Sequence, residues 1–236
     1  ISATPRLPEI AMAVMDRKVA SNKLLNALTR ADRAALNADL EMVALTYGSI
    51  LYEPGDRIDY VYFPVNSVVS LLTIVDQHQA LEVGLVGNEG MVGIPLSLGI
   101  AVSPVRALVQ GSGEALRMKA VRFVRHLQVC GGLQRELKRY TYALMSQITQ
   151  TAACNRFHVV EERLARWLLM THDRMQVREF ELTQEFLSHL LGVRRVGVTK
   201  AARALQARNL IHYSRGHITI VDRKGLEAAS CSCYAL

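Results

Sequence analysis

Between Phe186 and Val221 the sequence holds no Asp or Glu, while Arg194, Arg195, Lys200, Arg203, Arg208 and Arg215 supply six fixed positive charges. Guanidinium and ammonium groups left without neighbouring carboxylates attract a polyanion, and a phosphate backbone fits that description. Bond-making chemistry has no comparable grouping. Residues 42 to 120 contain one histidine, His78, and no His-x-His pair, so a metal-dependent barrel enzyme lacks its clustered ligands. No Ser/His/Asp arrangement, phosphate-binding P-loop or GxGxxG segment is visible either. The four cysteines, Cys130, Cys154, Cys231 and Cys233, are widely spaced apart from the terminal Cys-Ser-Cys. That spacing matches no familiar zinc pattern, so reduced thiols and no metal are expected.

The elements that must position the basic residues lie in Leu182 to Ile211, LTQEFLSHLLGVRRVGVTKAARALQARNLI. Thr183 can cap a helix whose Leu182, Phe186 and Leu190 share one face, expected to be a core face. Gly192 then interrupts the apolar run, as a residue closing a helix in the left-handed conformation does, and the chain restarts at Arg194-Arg195. Over a second helix, roughly Arg194 to Ala207, Val198, Ala201, Ala202 and Leu205 fall on one side, while Val196, Thr199, Lys200 and Arg203 face away. Helix, short Gly-containing turn, helix is the helix-turn-helix pattern. Alternation after Ile211, about a Ser214-Arg215-Gly216 turn, predicts a hairpin wing.

At 236 residues, half of them apolar, the chain can build two cored domains. Its net charge of +7 divides as +3 over residues 1 to 156 (16 basic, 13 acidic) and +4 over the shorter stretch 157 to 236 (12 basic, 8 acidic). The asymmetry assigns the nucleic-acid affinity to the C-terminal part. No apolar run reaches the roughly 18 residues of a membrane span, and the first twenty residues do not read as a signal peptide, so a cytoplasmic, soluble protein is expected.

Upstream, Leu24, Leu25 and Leu28 recur at helical spacing, and Thr29 to Asp32 resembles a capping box opening a second short helix. From Met42 to about residue 120 the period switches to two, with strand formers in MVALTYGSILY, YVYF, SVVSLLTIV and LEVGLV and punctuation by Pro and Gly, which predicts a sandwich or barrel. Helix resumes at Val121 to Gln128. A longer one runs without Pro or Gly from Leu133 to about Arg156, with Leu137, Tyr140, Leu144, Ile148 and Thr151 near a 3.5-residue repeat. Such a seam is expected to pair with a second copy. Asn155-Arg156-Phe157-His158 marks the junction to a helix carrying Val160, Leu164, Trp167 and Leu168, which floors the helix-turn-helix.

Helical lid, β-roll with a Pro-Gly turn, long helix and winged helix-turn-helix, in that order over roughly residues 22 to 226, resemble the Crp/Fnr family of bacterial transcription regulators. The most specific segments are Leu182 to Ile211 and the Tyr52-Glu-Pro-Gly-Asp56 turn, which is similar to the opening of a cyclic-nucleotide-binding domain. The resemblance implies an α+β fold: a β-roll (double-stranded β-helix) sensor domain with N-terminal helices over 1–132, a dimerisation helix over 133–156 and a winged helix-turn-helix domain over 157–236. It implies a homodimer on a near-palindromic operator, with double-stranded DNA and RNA polymerase as partners. Arg195, Val196 and Lys200, joined by Arg194, stand where the family contacts bases. Thr183, Gln184, Thr199, Arg203, Arg215 and His217 complete the set expected at DNA. Val196 replaces a frequent acidic base reader, which removes an acceptor for a cytosine amino group and permits contact with a thymine methyl.

Relatives that bind cyclic AMP carry a Gly-Glu pair for the ribose and an Arg-Ser/Thr-Ala motif for the phosphate. The matching stretches here read Gly93-Ile94 and Val105-Arg106-Ala107, so cyclic AMP is not expected, and Glu89 and Arg106 are the candidate effector contacts. An iron-sulfur branch uses an N-terminal cysteine cluster, but no cysteine precedes Cys130; a haem branch uses sensor histidines, of which only His78 and His126 are available. No cofactor is expected. Two other functions compete: a cupin-like metal-dependent enzyme with a helical oligomerisation arm, and a small-molecule sensor acting through protein partners, which leaves the acid-free basic stretch unexplained.

Overall fold

The computed structural model describes residues 18–76, 79–175 and 177–235. His78 and most of the stretch read for a signal peptide lie outside them. Two short helices, α1 (Lys23–Asn26) and α2 (Arg30–Asn37), form the lid. Thr29 Oγ1 accepts from the Asp32 amide at 3.1 Å, the cap expected of its hydroxyl. The Asn22 amide donates to the carbonyls of Pro64 and Gly90, both at 2.9 Å, and so fastens the lid to the strands beneath.

Seven strands follow: β1 (Glu41–Leu45), β2 (Ile50–Tyr52), β3 (Tyr60–Pro64), β4 (Val68–Asp76), β5 (Gln79–Val86), β6 (Arg106–Gly111) and β7 (Gly113–Lys119). They form two antiparallel sheets, β1-β7-β3 and β2-β6-β4-β5, facing each other as an open roll rather than a closed barrel. Val61, Phe63, Val69, Ala107, Val109, Leu116 and Met118 fill the space between them. The Glu53 to Asp56 turn forms as its residues require: Gly55 takes φ +92°, and Asp56 Oδ2 accepts from the Glu53 amide at 2.8 Å.

Helix α3 (Ala120–Val129) leads into α4 (Gly131–Phe157). At 1.5 Å per residue α4 is ~40 Å long. Its apolar stripe does not face a partner as the 3.5-residue repeat predicted. Leu133, Leu137, Tyr140 and Leu144 are buried in the protomer's own core, and the Tyr140 hydroxyl donates to the Met91 carbonyl at 3.2 Å. Thr151 is half-buried, and of the five seam residues only Ile148 is open to solvent. A stripe records that a helix face is covered, not what covers it. Among the described residues no helix is long and apolar enough to cross a membrane.

Beyond α4 come α5 (Val160–Met175), β8 (Glu179–Glu181), α6 (Gln184–Leu191), α7 (Arg195–Ala207), β9 (Ile211–Ser214), β10 (His217–Ile220) and α8 (Arg223–Ala229). Leu164, Leu168, Leu187, Leu190, Val198, Leu205 and Ile218 share one core, with α5 as its floor. Trp167 turns from that floor to the roll, where its indole Nε1 donates to Glu82 Oε1 at 2.9 Å. Ser70 Oγ donates to Glu82 Oε2 at 2.6 Å, and farther along α5 Arg174 Nε pairs with Glu89 Oε1 at 2.8 Å.

Glu82 therefore sits in the contact between roll and C-terminal domain. Burial pushes its carboxyl from the usual 4.5 up to about 7, against the opposing pull of Ser70, Trp167, Arg174 and Arg166. The folded chain holds a proton there that the unfolded chain releases, so this contribution to stability is complete below about pH 4.5 and is lost as pH rises through 7. At ~1.4 kcal/mol per unit of pKa, the loss is on the order of 3 kcal/mol. Glu82→Gln removes the titration, so denaturant unfolding at pH 5 and pH 8 is expected to show the variant losing about 3 kcal/mol less than wild type across that interval. Parallel pH dependence in the two proteins contradicts the assignment.

Candidate nucleic-acid interface

Thr183 caps α6, its Oγ1 accepting from the Phe186 amide at 3.1 Å. The helix ends at Gly192, which takes φ +60° and ψ +41°. The left-handed backbone is what favours glycine there; a Cβ would lie 2.6 Å from Leu81 Cδ1 on β5, the movable end of a side chain, so the roll comes close to this turn. The core face of α6 is the expected one, widened: Leu182 and Leu190 are buried in the core and Phe186 packs against it, joined by Leu187 and Leu191. Phe186 is half-buried, with its ring 5.7 Å from that of Tyr47, while Leu187, Leu190 and Leu191 enter the core. Phe186 thus bridges its own core and the roll, a second neighbour that the periodicity of α6 cannot report.

Helix α7 packs by Val198, Ala201, Ala202 and Leu205, all buried, as their angular grouping predicted. Small residues at 201 and 202 let its axis come close to α5 and α6. The opposite side is open: Arg194, Arg195, Val196, Lys200 and Arg203 are exposed, Val196 by 64%. Thr199 Oγ1 donates to Gln184 Oε1 at 2.9 Å, which ties the exposed face of α7 to the first turn of α6. Arg208 pairs with Glu161 at 3.0 Å. Arg194, Arg195, Lys200, Arg203 and Arg215 make no ion pair among the described residues, so their charge is available to an outside partner.

The wing is a hairpin of β9 and β10, with Arg215 at φ +49° and Gly216 at φ +84°, the positive pair that a two-residue type I′ turn needs. Arg215 and His217 are both exposed there. The sheet has a third strand the sequence did not suggest: β8 pairs with β10 through Phe180 and Ile218. Three residues are too few for an alternating pattern to register, although Phe180 between two glutamates carries the trace of one.

The sensor candidates do not converge. Glu89 is paired with Arg174 and lines an open cleft of about 360 Å³ with Lys23, Glu136, Arg139 and Tyr140. Arg106 is on β6, where its Nε meets Glu53 Oε2 at 2.9 Å, and it does not line that cleft. Ile94 and Val105, standing where the ribose and phosphate contacts of cyclic-AMP-binding relatives would be, pack against the core of the roll. A different constellation went unrecognised: Cys154, His158, Cys231 and Cys233 come together although 72 residues (159–230) separate the two pairs in sequence. The available signal was Cys-x3-His at the end of one helix joined to a distant Cys-x-Cys.

Residues 162–229 match the family model of the Crp-like helix-turn-helix domain. No curated protein sequence matches the chain. Among solved structures it is similar to a candidate transcriptional regulator of the Crp/Fnr family from Eubacterium rectale (18% identity, TM-score 0.68, covering 89% of this chain and 98% of that one). It is also similar to FixK2 from Bradyrhizobium japonicum (14%, 0.69, 82% and 98%). A third is the regulator CLP from Xanthomonas campestris, described as c-di-GMP responsive (18%, 0.64, 81% and 99%). At these identities the similarity establishes a shared fold, strands and long helix included.

Proposed function

We propose that this chain, which has the fold of Crp/Fnr regulators and a Crp-like helix-turn-helix domain, is a transcription regulator of that type and reads a near-palindromic operator as a homodimer. The observation that carries this reading is the exposed face of α7, where Arg194, Arg195, Lys200 and Arg203 stand without carboxylate partners around the protruding Val196. The first turn of such a helix enters the major groove, where base edges present distinguishable donors, acceptors and methyl groups. Arg195, Val196 and Lys200 contact bases; Thr183, Gln184, Arg203, Arg215 and His217 lie at the surrounding phosphates. Thr199 buttresses Gln184.

Two copies must hold their α7 helices one DNA turn apart, ~34 Å, to meet successive major grooves. The free face of α4 supports a dimer through Ile148, the exposed member of its apolar repeat, and through residues the repeat did not single out. Tyr142 is 75% exposed and Met145 62%, and with Ile148 and Ala152 they form an unpartnered line on the side away from the roll. An enzymatic reading finds no support among the residues of the roll. Its effector is a ligand other than cyclic AMP, because an enclosed cyclic phosphate and ribose would face Val105 and Ile94 while Arg106 is held by Glu53. Each unsatisfied polar group costs about 1–3 kcal/mol, more for a charge.

Arg195→Ala is expected to cost about 1–3 kcal/mol on the preferred site and to relax preference at one base position. DNA selected from a random pool, followed by competition at several salt concentrations, measures both; equal weakening on every sequence makes Arg195 a phosphate contact instead. Met145→Glu combined with Ile148→Glu is expected to yield a folded monomer with little operator affinity, since it puts unpaired charge into an apolar seam. Light scattering that shows an undiminished dimer moves the interface elsewhere. Calorimetry with cyclic AMP and cyclic GMP is expected to show no binding in the micromolar range, and such binding to either refutes the effector reading.

A further inference from the structure

Cys154 and His158 lie four residues apart where α4 ends, one in its last turn and one at its C-cap, so their side chains project to the same side. Beyond α8 the chain returns to that spot and forms a 3-10 turn, Ser232–Tyr234, which brings Cys231 and Cys233 against the pair. One ligand atom from each of the four residues lies within 4.8 Å of all the others. Cys154 Sγ is 3.5 Å from Cys231 Sγ, and Cys233 Sγ is 3.4 Å from His158 Nδ1. A tetrahedral Zn²⁺ site, with metal–sulfur bonds of ~2.3 Å and metal–nitrogen bonds of ~2.0–2.1 Å, has sulfur–sulfur edges of roughly 3.8 Å and sulfur–nitrogen edges of roughly 3.5 Å. A disulfide would need ~2.05 Å between sulfurs, and all four cysteines of the chain are free thiols. An iron–sulfur cluster spreads its thiolates farther apart, because several irons and sulfides occupy the centre.

We propose that Cys154, His158, Cys231 and Cys233 bind one Zn²⁺ ion per chain in a closed, structural Cys3His site. The surroundings supply independent support. Three thiolates and a dication leave one net negative charge, and Arg163 and Arg166 are buried beside the cluster with Nε atoms that have no hydrogen-bond partner. Their charges act on Cys154, and that of Arg163 on Cys231 as well. Buried cations without full compensation are costly, and an anionic metal centre offsets that cost. Gln150 Nε2 donates to Cys233 Sγ at 2.8 Å, a contact suited to a thiolate acceptor. All three sulfurs are buried, so the ion has protein ligands on every side and no open position for substrate. Binding sends the three thiol protons to solvent, while His158 ligates as neutral imidazole through Nδ1.

The ligands come from both sides of the junction between α4 and the C-terminal domain. The ion therefore staples the tail of the DNA-binding domain to the long helix and fixes the direction in which α7 points. That consequence rests on the DNA-binding reading; occupancy of the site does not.

The full-length chain, purified without chelator and desalted, is expected to carry one zinc per chain by mass spectrometric elemental analysis. The metal-stripped protein titrated with Co²⁺ is expected to develop the visible bands of tetrahedral cobalt together with near-ultraviolet thiolate-to-metal charge transfer. Cys231→Ser with Cys233→Ser is expected to lose both, and stripping the metal from wild type is expected to lower Tm and weaken operator binding. The cobalt titration of wild type decides the case even where the double variant does not fold. Protein free of zinc whose cobalt spectrum lacks charge transfer overturns the proposal, as does an intact mass showing a disulfide in protein kept under reducing conditions. Zinc retained in a chain that binds no DNA would falsify the DNA-binding reading and leave the site standing.

Discussion

The burial of Leu133, Leu137, Tyr140 and Leu144 against the roll determines where everything downstream can sit. Each such side chain removed from water is worth about 1.5–3 kcal/mol, so four of them anchor α4 along nearly half its length far more firmly than any surface ion pair could. With that face committed, a second copy would have to meet α4 on another face, and the end of α4 sets where α5 begins. The orientation of α7 is thus inherited from a helix packed some distance away.

A second constraint is electrostatic. A net charge of +7 on 236 residues is modest, and by itself selects no partner. What selects one is placement: the acidic residues of the C-terminal domain lie in α5, in β8, at the first turn of α6, and at the cap of α8 and within it, leaving the exposed side of α7 and the Arg215-Gly216 turn without a carboxylate of their own, while Glu179 of β8 lies 3.9 Å from His217. Arg208 illustrates the difference, since it belongs to the same basic stretch but is paired with Glu161 and so contributes less to that field.

The parts of the fold that announced themselves in the sequence are those governed by local rules. The left-handed Gly192, the Thr183 cap, the packing of Val198, Ala201, Ala202 and Leu205, and the Arg215-Gly216 turn each follow from the conformations their own residues permit. Errors came where the deciding neighbour is remote. Phe186 touches Tyr47 on the roll as well as the core of its own domain, and Leu137, Tyr140 and Leu144 are buried against the roll, where the repeat suggests a symmetry mate. Glu82, whose position between sheet and Trp167 raises its affinity for a proton, looks in sequence like the polar half of an alternating strand. Cys231 and Cys233 acquire meaning only when the tail is laid against α4.

Sensor and DNA-binding domain touch at several chemically different points: Glu82 with Trp167, Glu89 with Arg174, Tyr47 with Phe186, and Leu81 against Gly192. Three of these four start from β5 or the loop that follows it, so a shift of that strand would reach both the floor helix α5 and the turn between α6 and α7. A ligand in the roll can alter DNA binding only by favouring one arrangement of these contacts over another, and by no more than its difference in affinity for the two. Glu89 is where such a difference would be most direct, because it lines the cleft beside α4 and also holds Arg174 of α5. An effector cation that took the carboxylate from Arg174, or an anion that took the guanidinium from Glu89, would leave the remaining partner half-buried and unpaired. The free energy of that exchange, rather than any contact with α7 itself, would then couple the cleft to the face of α7.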